Sequence, residues 1–393
     1  MDATILIWLM GGLAALLVMM IIVVSIARGM DAGRPAIKTS LPGPLAQSLG
    51  LASEETKAIT DGDDETTKQK KQTTAFFSIA ATVAAVIGVI SFAKGFNDGD
   101  IMPAISELTA GELRGTLVNV RNSDPVVLIV PGSGPTDRDG NSPLGLKTDA
   151  YKLLADALAE EGIATVRVDK RGMFGSANAG DPNAVTPASY VSDYHAWIDA
   201  IKAERGSDCV WLLGHSEGAL MVSLAAENRR DVCGLILVAG MGRKMGDVIR
   251  QQLRANPANA PMLDEALEAL SQLEAGRHVD TTNMTPSLLS LFAPQVQDYL
   301  ISILNVDPVE AVRRANKPTL VVQGTTDLQV TVEDAKLLNK ARRTTLKLID
   351  GMNHILKEAP IDRATNLATY ADPSLPLAPK LVSRITDFID DND

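Results

Sequence analysis

The five residues Gly214-His215-Ser216-Glu217-Gly218 follow the apolar run Val210-Trp-Leu-Leu and lead into a helical stretch. Such a strand-turn-helix setting is what a G-x-S-x-G nucleophile elbow requires, because the flanking glycines permit a turn that leaves the serine hydroxyl exposed. A hydroxyl is a poor nucleophile until a base takes its proton, so a histidine must lie within reach. The chain has four. His195 falls in a helical run beside Tyr194 and Trp197, His215 adjoins the serine and cannot easily turn back onto it, and His278 falls in a helical insertion. His354, in Asp350-Gly-Met-Asn-His after the last expected strand, can reach the elbow from the same sheet edge.

The base in turn needs a carboxylate that holds its tautomer and steadies the imidazolium. Thr319-Leu-Val-Val-Gln-Gly-Thr-Thr-Asp places Asp327 just past a strand, between serine and histidine in chain order; Asp247 and Asp350 are its rivals. Acyl transfer also requires N–H donors aimed at the developing oxyanion. The backbone of Glu217 is one candidate, and that of Ser133 or Gly134 the other, at the glycine-rich end of Val127-Leu-Ile-Val-Pro-Gly-Ser-Gly-Pro. The Glu217 side chain itself has an ordinary explanation as an acidic group at a helix N-terminus.

These residues sit at the ends of β-branched runs that alternate with amphipathic stretches from Ile101 onward, the pattern of βαβ units around a mostly parallel sheet. Strands are expected at 112–120, 126–131, 163–168, 209–214, 234–239, 318–323 and 344–350, and helices at 148–161, 188–204, 217–228, 331–342 and 377–390. Between about 241 and 317 helical spacing replaces the period of two, so this insertion is expected to pack as a cap over the sheet. Leu288, Leu289, Leu291 and Phe292 within it suit either an acyl pocket or a helix packing face. Cys209 and Cys233 begin successive strands, where a disulfide and two buried free thiols are both open.

The N-terminal quarter is different. No charged residue occurs from Ala3 to Ala27, and a second uncharged stretch includes Ala75 to Ala93. At 1.5 Å per residue each approaches or exceeds the length of a bilayer span. The expected organisation is a transmembrane helix within 1–27, a flexible linker at 28–74, a second transmembrane helix at 75–93 and a catalytic domain at 94–393. Arg28, Arg34, Lys38, Lys68, Lys70 and Lys71 lie between the spans. Basic loops stay in the cytoplasm, which puts both termini on the outer side of an inner (plasma) membrane. Ala80, Ala84 and Gly88 form a small-residue stripe in the second span.

A net charge of −11 argues against a nucleic-acid partner. The chain lacks an H-E-x-x-H motif, so no metal is expected. Asp137-Arg-Asp-Gly-Asn imitates a calcium loop but has Ser142 at the sixth position and Thr148 at the twelfth. Gly240-Met-Gly-Arg-Lys-Met-Gly is misspaced for a dinucleotide, so no cofactor is expected. Arg171 and Asp139 are candidates for a structural ion pair.

The elbow, the loop Pro131-Gly-Ser-Gly-Pro-Thr-Asp-Arg-Asp-Gly-Asn and the run Asp169-Lys-Arg-Gly-Met-Phe-Gly-Ser resemble those of bacterial serine esterases of the α/β-hydrolase superfamily. The resemblance covers roughly 105–392. It implies an α/β-hydrolase fold with a helical cap, carboxylesterase activity on small acyl esters, and a triad of Ser216, Asp327 and His354. Thioester or amide cleavage by the same triad is the enzymatic alternative, and a noncatalytic, membrane-anchored interaction module is the other.

Overall fold

The computed structural model describes residues 103–120 and 125–393. Both expected membrane spans and the linker lie outside the described residues. Among those described, no helix is long and apolar enough to cross a membrane.

One sheet of eight strands organises this region: β1 (Ala104–Ala110), β2 (Leu113–Asn119), β3 (Val126–Val130), β4 (Ala164–Val168), β5 (Val210–His215), β6 (Val232–Val238), β7 (Thr319–Gly324) and β8 (Thr344–Ile349). Their spatial order is β1-β2-β4-β3-β5-β6-β7-β8. Pairing is antiparallel for β1–β2 and β2–β4 and parallel from β4 through to β8. The order reverses between β3 and β5. Their carboxyl ends therefore open a crevice where side chains from separate loops can converge.

Alternation along the strands feeds two cores. Val126, Leu128 and Val130 join the larger one, while Val127 and Ile129 turn to the opposite face, and Leu212 and Trp211 divide in the same way. Because both faces are covered, β3 and β5 read as unbroken apolar runs. On one face lie α1 (Ala150–Glu160), which buries Tyr151, Leu154 and Leu158, and the C-terminal helix Leu381–Asp390. On the other, α2 (Pro187–Arg205) starts at a Thr186/Ser189 capping box, ends at Gly206 in a left-handed conformation, and buries Tyr190, Tyr194, Trp197 and Ile201. Beside it runs α3 (Glu217–Ala225).

Strand β1 was absent from the sequence expectation. Its side chains are mostly exposed, and it is held by main-chain pairing with β2, so it carries no hydrophobic alternation to read. Between β6 and β7 the chain forms the helices Met245–Ala255, Leu263–Glu274, Leu289–Phe292, Pro294–Ile303 and Pro308–Ala315. Leu288, Leu291 and Phe292 are fully buried in the larger core. They are packing residues rather than pocket walls.

Cys209 and Cys233 are joined by a disulfide, with Cα atoms 5.3 Å apart. The bridge ties the entry to β5 to the start of β6. The expected Arg171–Asp139 pair does not form. Arg171 instead pairs with Asp193 of α2, and Asp139 pairs with Arg167 of β4. These partners come from elements that only the sheet order brings alongside.

Candidate active site

Ser216 sits between β5 and α3 with φ 56° and ψ −120°, a backbone conformation costing about 1–3 kcal/mol that a rigid surround must impose. Close packing of the turn supplies that surround. A Cβ on Gly214 would lie 2.2 Å from the Gly218 carbonyl oxygen, and one on Gly218 would lie 2.7 Å from those of Val130 and Pro131. Glycine is required at both positions. The serine projects at the N-terminus of α3, where the helix dipole favours developing negative charge.

His354 follows β8 and faces this serine, with Nε2 3.1 Å from Ser216 Oγ. Its Nδ1 lies 2.8 Å from Asp327 Oδ2. A carboxylate only accepts, so Nδ1 carries the proton and Nε2 is left free to take one from the serine. Asp327 is itself held. Its Oδ1 accepts from the N–H groups of Gln329 (2.7 Å) and Val330 (2.9 Å), and its Oδ2 accepts from Gln323 Nε2 at 3.0 Å. Both His354 and Asp327 are buried, which strengthens their pairing. The rival carboxylates are elsewhere: Asp247 lies near Arg250, and Asp350 accepts from the Thr325 hydroxyl.

The loop after β3 passes against the elbow. A Cβ on Gly132 would come within 3.0 Å of Ser216 Cβ. Among the described residues the N–H groups of Ser133, Gly134 and Glu217 have no acceptor. They are thus free to serve an oxyanion. The Glu217 side chain does more than accompany a helix N-terminus: it is buried, its Oε2 accepts from Ser133 Oγ and its Oε1 from the Tyr299 hydroxyl, each at 2.7 Å. Tyr299 belongs to the helix Pro294–Ile303, so this carboxylate joins the loop after β3 to the inserted helices.

Two small cavities meet at Ser216. One, of about 50 Å³, is walled by Met241, Met245, Val248, Ile249 and Leu300 together with Ser133, Glu217 and Tyr299. The other, of about 60 Å³, is walled by Gly132, Ser133, Leu146, Tyr151, His354 and Ile355.

Of the sequence candidates, Ser216, His354 and Asp327 converge, with Ser133, Gly134 and Glu217 at the same crevice. The remaining histidines stand apart from the serine hydroxyl. His195 bonds the Ala225 carbonyl, and His278 is an exposed partner of Asp298. Sequence reasoning missed Tyr151, Lys170, Gln323 and Tyr299, and it gave His215 no role. Lys170 lies in the run Asp169-Lys-Arg-Gly, and Gln323 precedes Asp327 by four residues; Tyr151 and Tyr299 left no sequence signal. Burial pushes His215 down to about 3, with the neighbouring His354 adding to the fall, and pushes Lys170 down to about 8 against a pull upward from Glu217. Asp137 spends one carboxylate oxygen on the N–H groups of Asp139 and Asn141, closing its own loop. Among the described residues no cluster of His, Cys, Asp or Glu is arranged to hold a metal ion.

This is the fold of the α/β-hydrolases. The α/β-hydrolase GrgF from Penicillium superposes with a TM-score of 0.50 at 18% identity, covering 74% of this chain and 99% of that one. Est1E from Butyrivibrio proteoclasticus, solved with ferulic acid bound, aligns over 73% of this chain and 98% of its own at 19% identity and a TM-score of 0.46. The sequence pattern of the serine aminopeptidase S33 hydrolase family matches residues 144–298, a stretch that includes the elbow. Esterase EstD of Thermotoga maritima is 27% identical over 259 residues. That alignment takes in 64% of this chain and spans only 59% of the length of EstD.

Proposed function

We propose that the protein is a serine hydrolase that cleaves small carboxylic esters through an acyl-enzyme. The observation that carries this reading is the continuous contact from Asp327 through His354 to Ser216 Oγ, at 2.8 and 3.1 Å. In the reaction Ser216 attacks the ester carbonyl while His354 Nε2 takes its proton. The carbonyl oxygen gains negative charge, which the Glu217 and Ser133 N–H groups, without acceptors of their own, would receive. His354 then returns the proton to the leaving alkoxide, and Asp327 stabilises the imidazolium in between. Water, activated by the same histidine, releases the acid.

The leaving oxygen must lie near His354, which assigns the cavity beside His354 and Ile355 to the alcohol. The acyl group then takes the cavity under Met245, Val248 and Leu300. Its size suits a short apolar chain. EstD is named an esterase, and that name supports the ester over other acyl substrates. The S33 pattern keeps peptides in the test.

A fluorophosphonate captures only a serine activated by a base and an oxyanion hole. Wild type is expected to label and Ser216→Ala to stay unlabelled, after which ester, thioester and peptide substrates can be ranked. A folded wild type that resists the probe would refute the hydrolase and favour an interaction module.

The same proposal places the domain on the outer face of a plasma membrane, tethered by helices within 1–27 and 75–93. The basic residues between these stretches and the Cys209–Cys233 disulfide support it, since disulfides persist in oxidising compartments. A topology reporter fused after Asp393 should be active outside; activity in the cytoplasm would overturn the orientation.

A further inference from the structure

Lys170 follows β4, the neighbour of β3, and its side chain is buried. The residues on either side of it are ion-paired, Asp169 with Arg138 and Arg171 with Asp193. Among the described residues Lys170 has no carboxylate at ion-pair distance. Its ammonium instead donates to two backbone carbonyls of the loop after β3, that of Gly132 at 2.7 Å and that of Gly134. These carbonyls flank Ser133. Burying an ammonium without an ion pair is costly, and an apolar side chain of the same length would fill this space at less expense. The charge therefore calls for a role other than packing.

We propose that Lys170 is a positioning residue of the oxyanion hole, holding the Gly132–Ser133 peptide so that the Ser133 N–H is turned toward the reacting carbonyl. This rests on the serine-hydrolase reading above. The chain has no cis peptide among the described residues, and in a trans peptide the C=O and the following N–H point in opposite directions. A cation that fixes the Gly132 carbonyl on one side thus fixes the Ser133 N–H on the other. The Gly134 carbonyl belongs to the peptide of Pro135, which has no N–H, so the second contact restrains the loop without consuming a donor. Glu217 grips the same residue through Ser133 Oγ. The loop is held at its carbonyls by a cation and at its hydroxyl by an anion, and the Ser133 N–H has no acceptor among the described residues.

The test uses the full chain in membranes, comparing wild type with Lys170→Met and Lys170→Gln. The readouts are kcat and KM for a chromogenic short-chain ester, the rate of fluorophosphonate capture, and the affinity for a trifluoromethyl ketone, whose adduct carries an oxyanion. Lys170→Met is expected to lower kcat and capture rate by about 10²-fold, to weaken the ketone adduct in proportion, and to leave KM within about threefold. Lys170→Gln keeps one donor without the charge and is expected to fall between Met and wild type; it carries the test if the Met variant does not fold. A labelled wild type whose folded variants react at the wild-type rate, or lose only in KM, would overturn the inference. A wild type that is not labelled would instead remove the reading on which it rests.

Discussion

His215, the residue before the elbow serine, lies with its Nε2 2.7 Å from the backbone carbonyl oxygen of His354. A carbonyl only accepts, so Nε2 carries the proton and Nδ1 is left to accept from the Tyr151 hydroxyl, also at 2.7 Å. The Tyr151 oxygen in turn accepts from the Gly132 N–H at 3.3 Å. One neutral imidazole thus links the main chain at His354 to the loop after β3.

This imidazole must stay neutral to keep both bonds, and burial holds it neutral down to about pH 3, against an ordinary value of 6.5. Between those values the unfolded chain binds the proton and the folded one does not. The stabilisation is therefore complete above about 6.5 and is lost as the pH falls toward 3. Thermal melts of wild type and His215→Gln should show the wild-type advantage at pH 7.5 shrinking steadily by pH 4.5; a constant difference would mean that His215 already shares its proton in the fold.

Asp327→Asn should reverse the tautomer of His354. The asparagine oxygen would keep the N–H groups of Gln329 and Val330, which turns its NH₂ toward Nδ1 and drives the proton to Nε2, facing Ser216. A loss of about 10³- to 10⁴-fold in kcat is expected, with KM little changed. Steady-state kinetics on the purified variant would decide, and a loss below tenfold would remove Asp327 from the proposed triad.

Gly218→Ala puts a methyl group 2.7 Å from two carbonyl oxygens, those of Val130 and Pro131. The backbone must move to admit it, at about 1–3 kcal/mol. Urea unfolding should show a lower midpoint with an unchanged slope, and kcat should fall as well, because Pro131 leads directly into Gly132 and Ser133.

The disulfide closes a loop over a sequence separation of 24. Its removal in a Cys209→Ala/Cys233→Ala variant should cost about 2–4 kcal/mol. Both cysteines lie at the entry ends of β5 and β6, remote from the carboxyl ends where Ser216 sits, so kcat at 25 °C should stay within about twofold. Reductant should lower the Tm of wild type and leave that of the variant unchanged.

Much of this was legible along the chain because its causes are local. Short, unbroken β-branched and apolar runs marked the buried strands, and the spelling Gly-His-Ser-Glu-Gly specified a turn that only glycine permits at its edges. Position just past a strand then favoured Asp327 over Asp247 and Asp350, and elimination with position favoured His354, since strand ends on a parallel sheet share one edge. Edge strand β1 escaped notice because an exposed strand carries no such pattern. The partners of Glu217, His215 and Lys170 were invisible for another reason. Ser133 is 84 residues from Glu217, Tyr151 is 64 from His215, and Gly132 is 38 from Lys170. The residue types and turns were determined by the sequence itself; which carboxylate meets which hydroxyl, and whether two cysteines join, was decided by the order and register of the strands. A hydrogen bond depends on where two atoms come to rest, and for groups this far apart along the chain only the packed sheet sets that distance.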